Sequence, residues 1–285
     1  MIAAVTSTDR QSAAVSRFQQ LHEEGCFVIP NPWDIGSAVF LERLGFQALA
    51  TTSAGFAFSR GLPDDPNVVP RDVMLDHIAE IAAATALPVN GDFQSGYADE
   101  PEQVATNVTL AVMTGAAGLS IEDATGKPDE PLYDEGLAVA RVNAARAAID
   151  ATGVPAVLTA RCESWLVGVS DPERIALSRL AAFAEAGADC LFAPGVVASA
   201  SIARIVREVA PKPVNVLVST MNRSLTVAQL RDLGVRRISV GGALARVAWA
   251  AFMRAAREIS SDGSFASFGD AAPFDELNAL FALGR

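Results

Sequence analysis

The sequence predicts a (β/α)8 barrel of the TIM type, and three observations carry that prediction. Short β-branched runs alternate with longer helical patterns almost from end to end. Eight such runs can be counted, and 285 residues is close to the size one barrel with its outer helices requires. No low-complexity segment or linker rich in Pro, Gly and Ser divides the chain, so residues 1–285 read as a single domain. A doubly wound α/β sheet is the alternative arrangement of the same elements.

In chain order the expected strands are Cys26–Pro30, Ala48–Thr52, Pro88–Asp92, Gly118–Glu122, Ala156–Arg161, Cys190–Ala193, Pro213–Val218 and Arg237–Gly241. Between them, apolar residues recur at helical spacing: Met74, His77, Ile78 and Ile81, then Leu177, Leu180, Ala181 and Ala184, then Ile202, Ile205, Val206 and Val209. Those faces should lie on the sheet. Ser170 ahead of Pro172 and Glu173, and Thr226 ahead of Gln229, have the spacing of capping boxes. Glycine punctuates several helix ends just before the next strand, as in LGFQALA, AGADCLFA and LGVRRISV. The tail, residues 265–285, reads as an extra helical extension whose Phe274, Leu277, Asn278 and Phe281 form one stripe, a surface that needs a partner.

Composition limits the functional classes. A hydrophobic fraction of 51 % supplies a large core, and a formal net charge of −11 repels both phosphate backbones and anionic lipid. Nucleic-acid and membrane roles are therefore not expected. No basic stretch followed by an apolar one opens the chain, and Arg246 and Arg254 interrupt its most apolar late segment. Cys26, Cys162 and Cys190 are too scattered for a C-x-x-C pair and read as reduced core residues, which suits the cytoplasm.

In a barrel, chemistry gathers where the strands end. Here the first strand runs into Asn31 and Asp34, the second into Thr52, Ser53 and Ala54, the third into Asn90 and Asp92, the fourth into Glu122 and Asp123, and the fifth into Arg161 and Glu163. Asp92 and Glu122, with Asp34 nearby, are hard oxygen donors of the kind that suit Mg²⁺ or Mn²⁺. Arg161 can grip a carboxylate through two parallel hydrogen bonds, and the Thr52-Ser53-Ala54 turn offers backbone N–H groups to a second anionic end. These residues together describe a site for a small metal-chelating di-acid or 2-oxo acid. Two histidines, both on expected helices, argue against a Ser-His-Asp triad or a histidine zinc site; the two lysines lie outside strand interiors, so a Schiff-base aldolase has no candidate.

Read as an ordered set, NPWDIGSA, TTSAG with GLPDD, NGDFQSGY, SIED and TARCES resemble the isocitrate lyase/phosphoenolpyruvate mutase superfamily over roughly residues 31–252. The resemblance implies a modified barrel, Mg²⁺ dependence, chemistry beside a carboxylate through an enolate-like intermediate, and homo-oligomers, dimers or tetramers, in which a terminal helix is exchanged between subunits. By the same resemblance Asp92 and Glu122 match the metal-site carboxylates, Asp34 the acid that supports them, the Thr52–Ala54 backbone a carboxylate cradle, and Arg161 the arginine facing the oxyanion. The stretch from Glu122 to Tyr133 occupies the place of the mobile lid.

Two departures are expected to matter. The third-strand motif begins with Asn90 where an acid is usual, and the lid lacks the K-[KR]-C-G-H segment whose cysteine serves isocitrate and methylisocitrate lyases. Neither of those activities is expected; Lys127 or Tyr133 are the available proton carriers. Local readings compete at several positions: Asp34 can simply cap the helix that follows it, Glu163 can orient Arg161, and Asp92, Glu122 and Arg161 can form a structural ion pair. The leading expectation is a Mg²⁺-dependent carbon–carbon lyase acting on a small 2-oxo or 2-hydroxy di-acid, with oxaloacetate decarboxylation first. The rivals are a C–P bond enzyme, phosphonopyruvate hydrolase or phosphoenolpyruvate mutase, and a catalytically silent 2-oxo-acid-binding protein.

Overall fold

A computed structural model describes residues 7–65, 67–221 and 225–282. Eight parallel strands lie in the order β1-β8-β7-β6-β5-β4-β3-β2. They are β1 (Phe27–Ile29), β2 (Leu49–Ala50), β3 (Val89–Asp92), β4 (Gly118–Glu122), β5 (Val157–Arg161), β6 (Cys190–Phe192), β7 (Val214–Leu217) and β8 (Arg237–Ser239). Strand β1 pairs with β8, and the remaining seam is bridged where the Ala50 N–H donates to the Pro30 carbonyl at 3.1 Å. The expected (β/α)8 barrel is therefore the fold, and each strand falls within its expected span.

The outer helices in chain order are α1 (Ser7–Glu23), α2 (Ile35–Arg43), α3 (Ser53–Ser59), α4 (Arg71–Ala84), α5 (Pro101–Met113), α6 (Glu135–Thr152), α7 (Pro172–Glu185), α8 (Ser199–Glu208), α9 (Val227–Asp232), α10 (Ala243–Asp262) and α11 (Phe274–Ala282). Helix α4 buries Met74, His77, Ile78 and Ile81, the stripe its spacing predicts. Its approach to the sheet is close: a Cβ on Gly91 of β3 would sit 3.0 Å from Ile78 Cδ1. The Thr226–Gln229 capping box forms at the start of α9.

Two local expectations fail. The residue that precedes helix α7 is Asp171, in a left-handed conformation with no side-chain cap, so Ser170 makes no capping box. The buried face of that helix is Ala176, Arg179, Leu180 and Phe183, one position off the expected stripe; Ala181 is exposed. The shift has a polar cause, since Arg179 turns inward to Asp123 at 2.9 Å. Apolar periodicity alone cannot see a buried arginine.

Helix α1 closes the end of the barrel where strands begin. Phe18 and Val15 pack with Phe27, Ile29, Ala48, Ala50, Ala117 and Val157, and a Cβ on Gly118 would collide with Phe18 at 2.8 Å. Gln11 and Gln19 donate to the carbonyls of Ala116 and Pro155, the chain just before β4 and β5. Burying one such phenyl group stabilises by about 2–3 kcal/mol. At the C-terminus, α11 touches α2 through Arg43, whose guanidinium donates to the Ala279 carbonyl, while Phe274 stays 87 % exposed. The last three residues of the expected 265–285 extension lie outside the described residues. Among the described residues no helix is long and apolar enough to cross a membrane.

Candidate active site

Alternate residues along each strand point into the barrel, so positions two apart stack in layers. Ser120 and Glu122, Thr159 and Arg161, and Asn90 and Asp92 are such pairs, with the second member of each at the strand end. A cavity of about 180 Å³ opens at this end and is lined by Thr52, Ser53, Ala54, Asn90, Asp92 and Arg161, among others. The substrate-binding candidates thus share one space with Asp92 and Arg161.

Arg161 organises the upper layer. Its Nη1 reaches Asp92 Oδ1 at 2.8 Å, its Nη2 reaches Glu122 Oε2 at 3.0 Å and Glu163 Oε1 at 2.9 Å, and Nε donates to the same Glu163 oxygen at 2.9 Å. The Phe192 ring lies beneath the guanidinium, 5.3 Å away. Burial opposes the Arg161 charge, but Glu122, Glu163 and Asp92 more than offset it and raise its pKa above the ordinary value. Burial pushes Glu122 up to about 8 against the pull of Arg161, and raises Glu163 as well. One cation is shared by three acids, so the carboxylates are under-compensated and receptive to a further cation.

The supporting contacts follow from local sequence. Thr52 caps α3 by accepting the Gly55 N–H at 3.2 Å, which turns the chain so that the Ser53 N–H donates to Asp92 Oδ2 at 3.0 Å. The Asp92 N–H donates to Thr51 Oγ1 at 2.8 Å. Asp123, next to Glu122 but turned away, accepts the Glu163 N–H at 2.8 Å and the Arg179 pair, fixing the backbone that carries Glu163. The adjacent acids at the end of β4 thus divide their work between site and scaffold.

Other candidates stand elsewhere. Asp34 caps α2, accepting the Ser37 N–H at 2.7 Å in a capping box, and does not line the cavity. Lys127 is exposed in the loop after β4, 3.7 Å from Asp99. The Tyr133 hydroxyl donates to Asp99 Oδ1 at 2.5 Å, and Arg141 stacks on its ring at 4.0 Å, so that side chain is committed to the rim.

The structure adds residues that the sequence reading did not assign. Asp64, from the GLPDD segment, lines the cavity, and burial followed by the Asp92 charge raises its pKa. Tyr97, from the NGDFQSGY segment, has a buried hydroxyl with no partner; burial, then Asp92 and Glu122, push its pKa up. Both lie in quoted motifs, which was the available signal. Arg237 and Asn215 also line the cavity, deeper than any residue at a strand end.

A divalent ion suits the donor set. Asp92 and Glu122 offer hard oxygens, and the buried Asn90 Oδ1 lacks any hydrogen-bond partner. Among the described residues no group of three or more His, Cys, Asp or Glu side chains is placed to hold a metal ion by itself. An ion held by Asp92 and Glu122 would therefore need waters or a ligand to complete its shell, as Mg²⁺ does when it is bound through one or two carboxylates.

A family model described as phosphoenolpyruvate phosphomutase matches residues 18–260. A crystal structure from Burkholderia cenocepacia J2315, designated only provisionally as a lyase/mutase, superposes with a TM-score of 0.92 at 47 % identity, over 96 % of this chain and 97 % of that one. The 2-methylisocitrate lyase of Escherichia coli K12 is 34 % identical over 163 residues, covering 54 % of this chain and 53 % of its own. An oxaloacetate decarboxylase of Paraburkholderia xenovorans LB400 is 31 % identical over 187 residues, 62 % of this chain and 59 % of its own. With its barrel, its acid-ringed arginine and a match that runs most of its length, the chain belongs to the phosphoenolpyruvate phosphomutase family, within the phosphoenolpyruvate mutase/isocitrate lyase superfamily.

Proposed function

We propose that this chain is a Mg²⁺-dependent lyase that breaks a carbon–carbon bond beside a carboxylate in a small 2-oxo or 2-hydroxy acid, with oxaloacetate decarboxylation the first reaction to test. The observation that carries the reading is the convergence of Asp92, Glu122 and Glu163 on Arg161, which together with Asp92 lines a cavity of about 180 Å³ while Glu122 and Glu163 stand behind that lining. Asp92 and Glu122, with the Asn90 carbonyl oxygen, would hold Mg²⁺ (or Mn²⁺), which supplies Lewis-acid stabilisation for a developing enolate. Arg161 neutralises charge on the opposite side, and Glu163 holds it there. The Ser53 and Ala54 backbone at the start of α3 receives one substrate carboxylate, the Ser53 N–H exchanging its present Asp92 acceptor for the ligand. Asp34 sets the start of α2, and Lys127 joins the site only through movement of the loop that bears it.

Similarity to the P. xenovorans oxaloacetate decarboxylase supports this substrate class. The loop after β4 reads Thr125-Gly126-Lys127-Pro128 and contains no cysteine, which counts against methylisocitrate cleavage despite the E. coli relative. We read the chain as cytoplasmic and as a homo-oligomer; the exposed apolar side chains Val247 and Phe252 on α10 and Phe274 on α11 support the second part of that reading. Arg237 gives the cavity a second guanidinium beside Arg161, which would suit the extra charge of a phosphonate, so phosphonopyruvate belongs in the same assay panel.

Oxaloacetate turnover is expected to vanish with EDTA, return with Mg²⁺, and be lost in Asp92→Ala. EDTA-insensitive turnover, or full turnover in that variant, overturns the reading. Phosphorus NMR with phosphonopyruvate separates the C–P alternative.

A further inference from the structure

Beneath the acid-ringed layer the barrel holds a second arginine with a different environment. Arg237, at the start of β8, is 3 % exposed and lines the same cavity. Its Nε donates to Asn215 Oδ1 at 2.9 Å and its Nη2 to Thr159 Oγ1 at 2.9 Å, while Nη1 lies 3.3 Å from His22 Nε2. Asn215 in turn donates to Ser239 Oγ at 2.9 Å. Every one of these partners is neutral. His22 Nδ1 contacts the Phe18 carbonyl at 2.7 Å, which fixes the proton on Nδ1 and leaves Nε2 as an acceptor for Arg237. Among the described residues Arg237 takes part in no ion pair.

A buried guanidinium without a counter-charge is costly, and a protein keeps one where something anionic completes it. The geometry places that anion in the cavity. Thr159, which Arg237 touches, is two residues below Arg161 on β5, so the two guanidinium layers are about 7 Å apart along the strand. The upper layer is rich in carboxylates and suits a metal-chelating end; the lower layer is rich in donors and holds no acid. An extended ligand with an oxo-acid head and an anionic foot matches both.

We propose that Arg237, positioned by Asn215, Thr159 and His22, forms an anion subsite on the cavity floor that receives the distal carboxylate of a four- or five-carbon di-acid. The proposal rests on the reading of the rim as the oxo-acid end and narrows its substrate class to di-acids over mono-acids.

The test is calorimetric and uses unreactive ligands, so it does not depend on turnover. The full-length protein with Mg²⁺ is titrated with 2-oxoglutarate and with 2-oxopentanoate, which share the oxo-acid head and chain length and differ in the distal carboxylate. Wild type is expected to prefer 2-oxoglutarate by roughly tenfold or more, the worth of one charge-assisted hydrogen bond. In Arg237→Gln that preference should collapse to within about twofold while 2-oxopentanoate binding is retained, and Arg237→Lys should keep part of it. Equal affinity of wild type for the two acids overturns the proposal, as does a folded Arg237→Gln protein that keeps the preference or loses both ligands alike. If the glutamine variant does not fold, the wild-type pair decides. A retained preference without oxaloacetate turnover sinks the lyase reading alone; turnover without the preference sinks the subsite alone.

Discussion

Two arginines occupy the interior of this barrel one layer apart, and their surroundings are opposites. Arg161 is met by Asp92, Glu122 and Glu163, whereas Arg237 is met by an amide, a hydroxyl and an imidazole. Both are buried, yet the pKa of the first is raised by its acids and that of the second is lowered by burial. The contrast teaches that burial alone does not give an arginine its role. The upper one manages an excess of negative charge, and the lower one presents an unspent positive charge.

The largest effect should come from disturbing the upper layer. Arg161→Gln leaves three carboxylates without their shared cation, and oxaloacetate turnover is expected to fall by on the order of 10³-fold. Steady-state kinetics check this, and a change below about tenfold would return Arg161 to a structural ion pair. The lower layer is probed by pH. Burial, then the nearby Arg237 charge, hold His22 down to about 3, against an ordinary value of 6.5. An unfolded chain therefore takes up a proton that the folded chain refuses, so the contribution is complete above pH 6.5 and drains away as pH falls towards 3. A loss of up to a few kcal/mol is expected over that window in denaturant titrations, and His22→Gln should flatten the dependence. The smallest effect lies outside both layers. Asp34→Ala removes a capping box and should cost about 1 kcal/mol of stability with kcat and KM for oxaloacetate unchanged; a tenfold loss of kcat at preserved stability would restore a catalytic part to that acid.

Much of this arrangement is legible in the sequence because period-two strands put their end residues on one rim. Asn90 with Asp92, Glu122, and Arg161 with Glu163 are placed by that rule alone, and the eight strand positions follow from β-branched runs closed by polar residues. Asp64 escaped because it sits in a loop, where no periodicity says which way a side chain points. Arg237 escaped for the opposite reason: it begins a strand, where rim logic assigns polar residues to stability, and only the depth of the cavity reveals that it faces the same space. The α7 register slipped by one residue because Arg179 takes a place in the buried face that apolar counting gives to a hydrophobe.

Helix α1, wedged under the strands by Phe18 and secured by Gln11 and Gln19, plugs the end of the barrel opposite the rim that carries Asp92 and Arg161. Were the proposed cleavage to take place there, its reactant and both fragments would share the opening at that rim. The fragment held nearest Arg237 would then leave last, and product-inhibition kinetics are expected to show it as the competitive inhibitor of the pair.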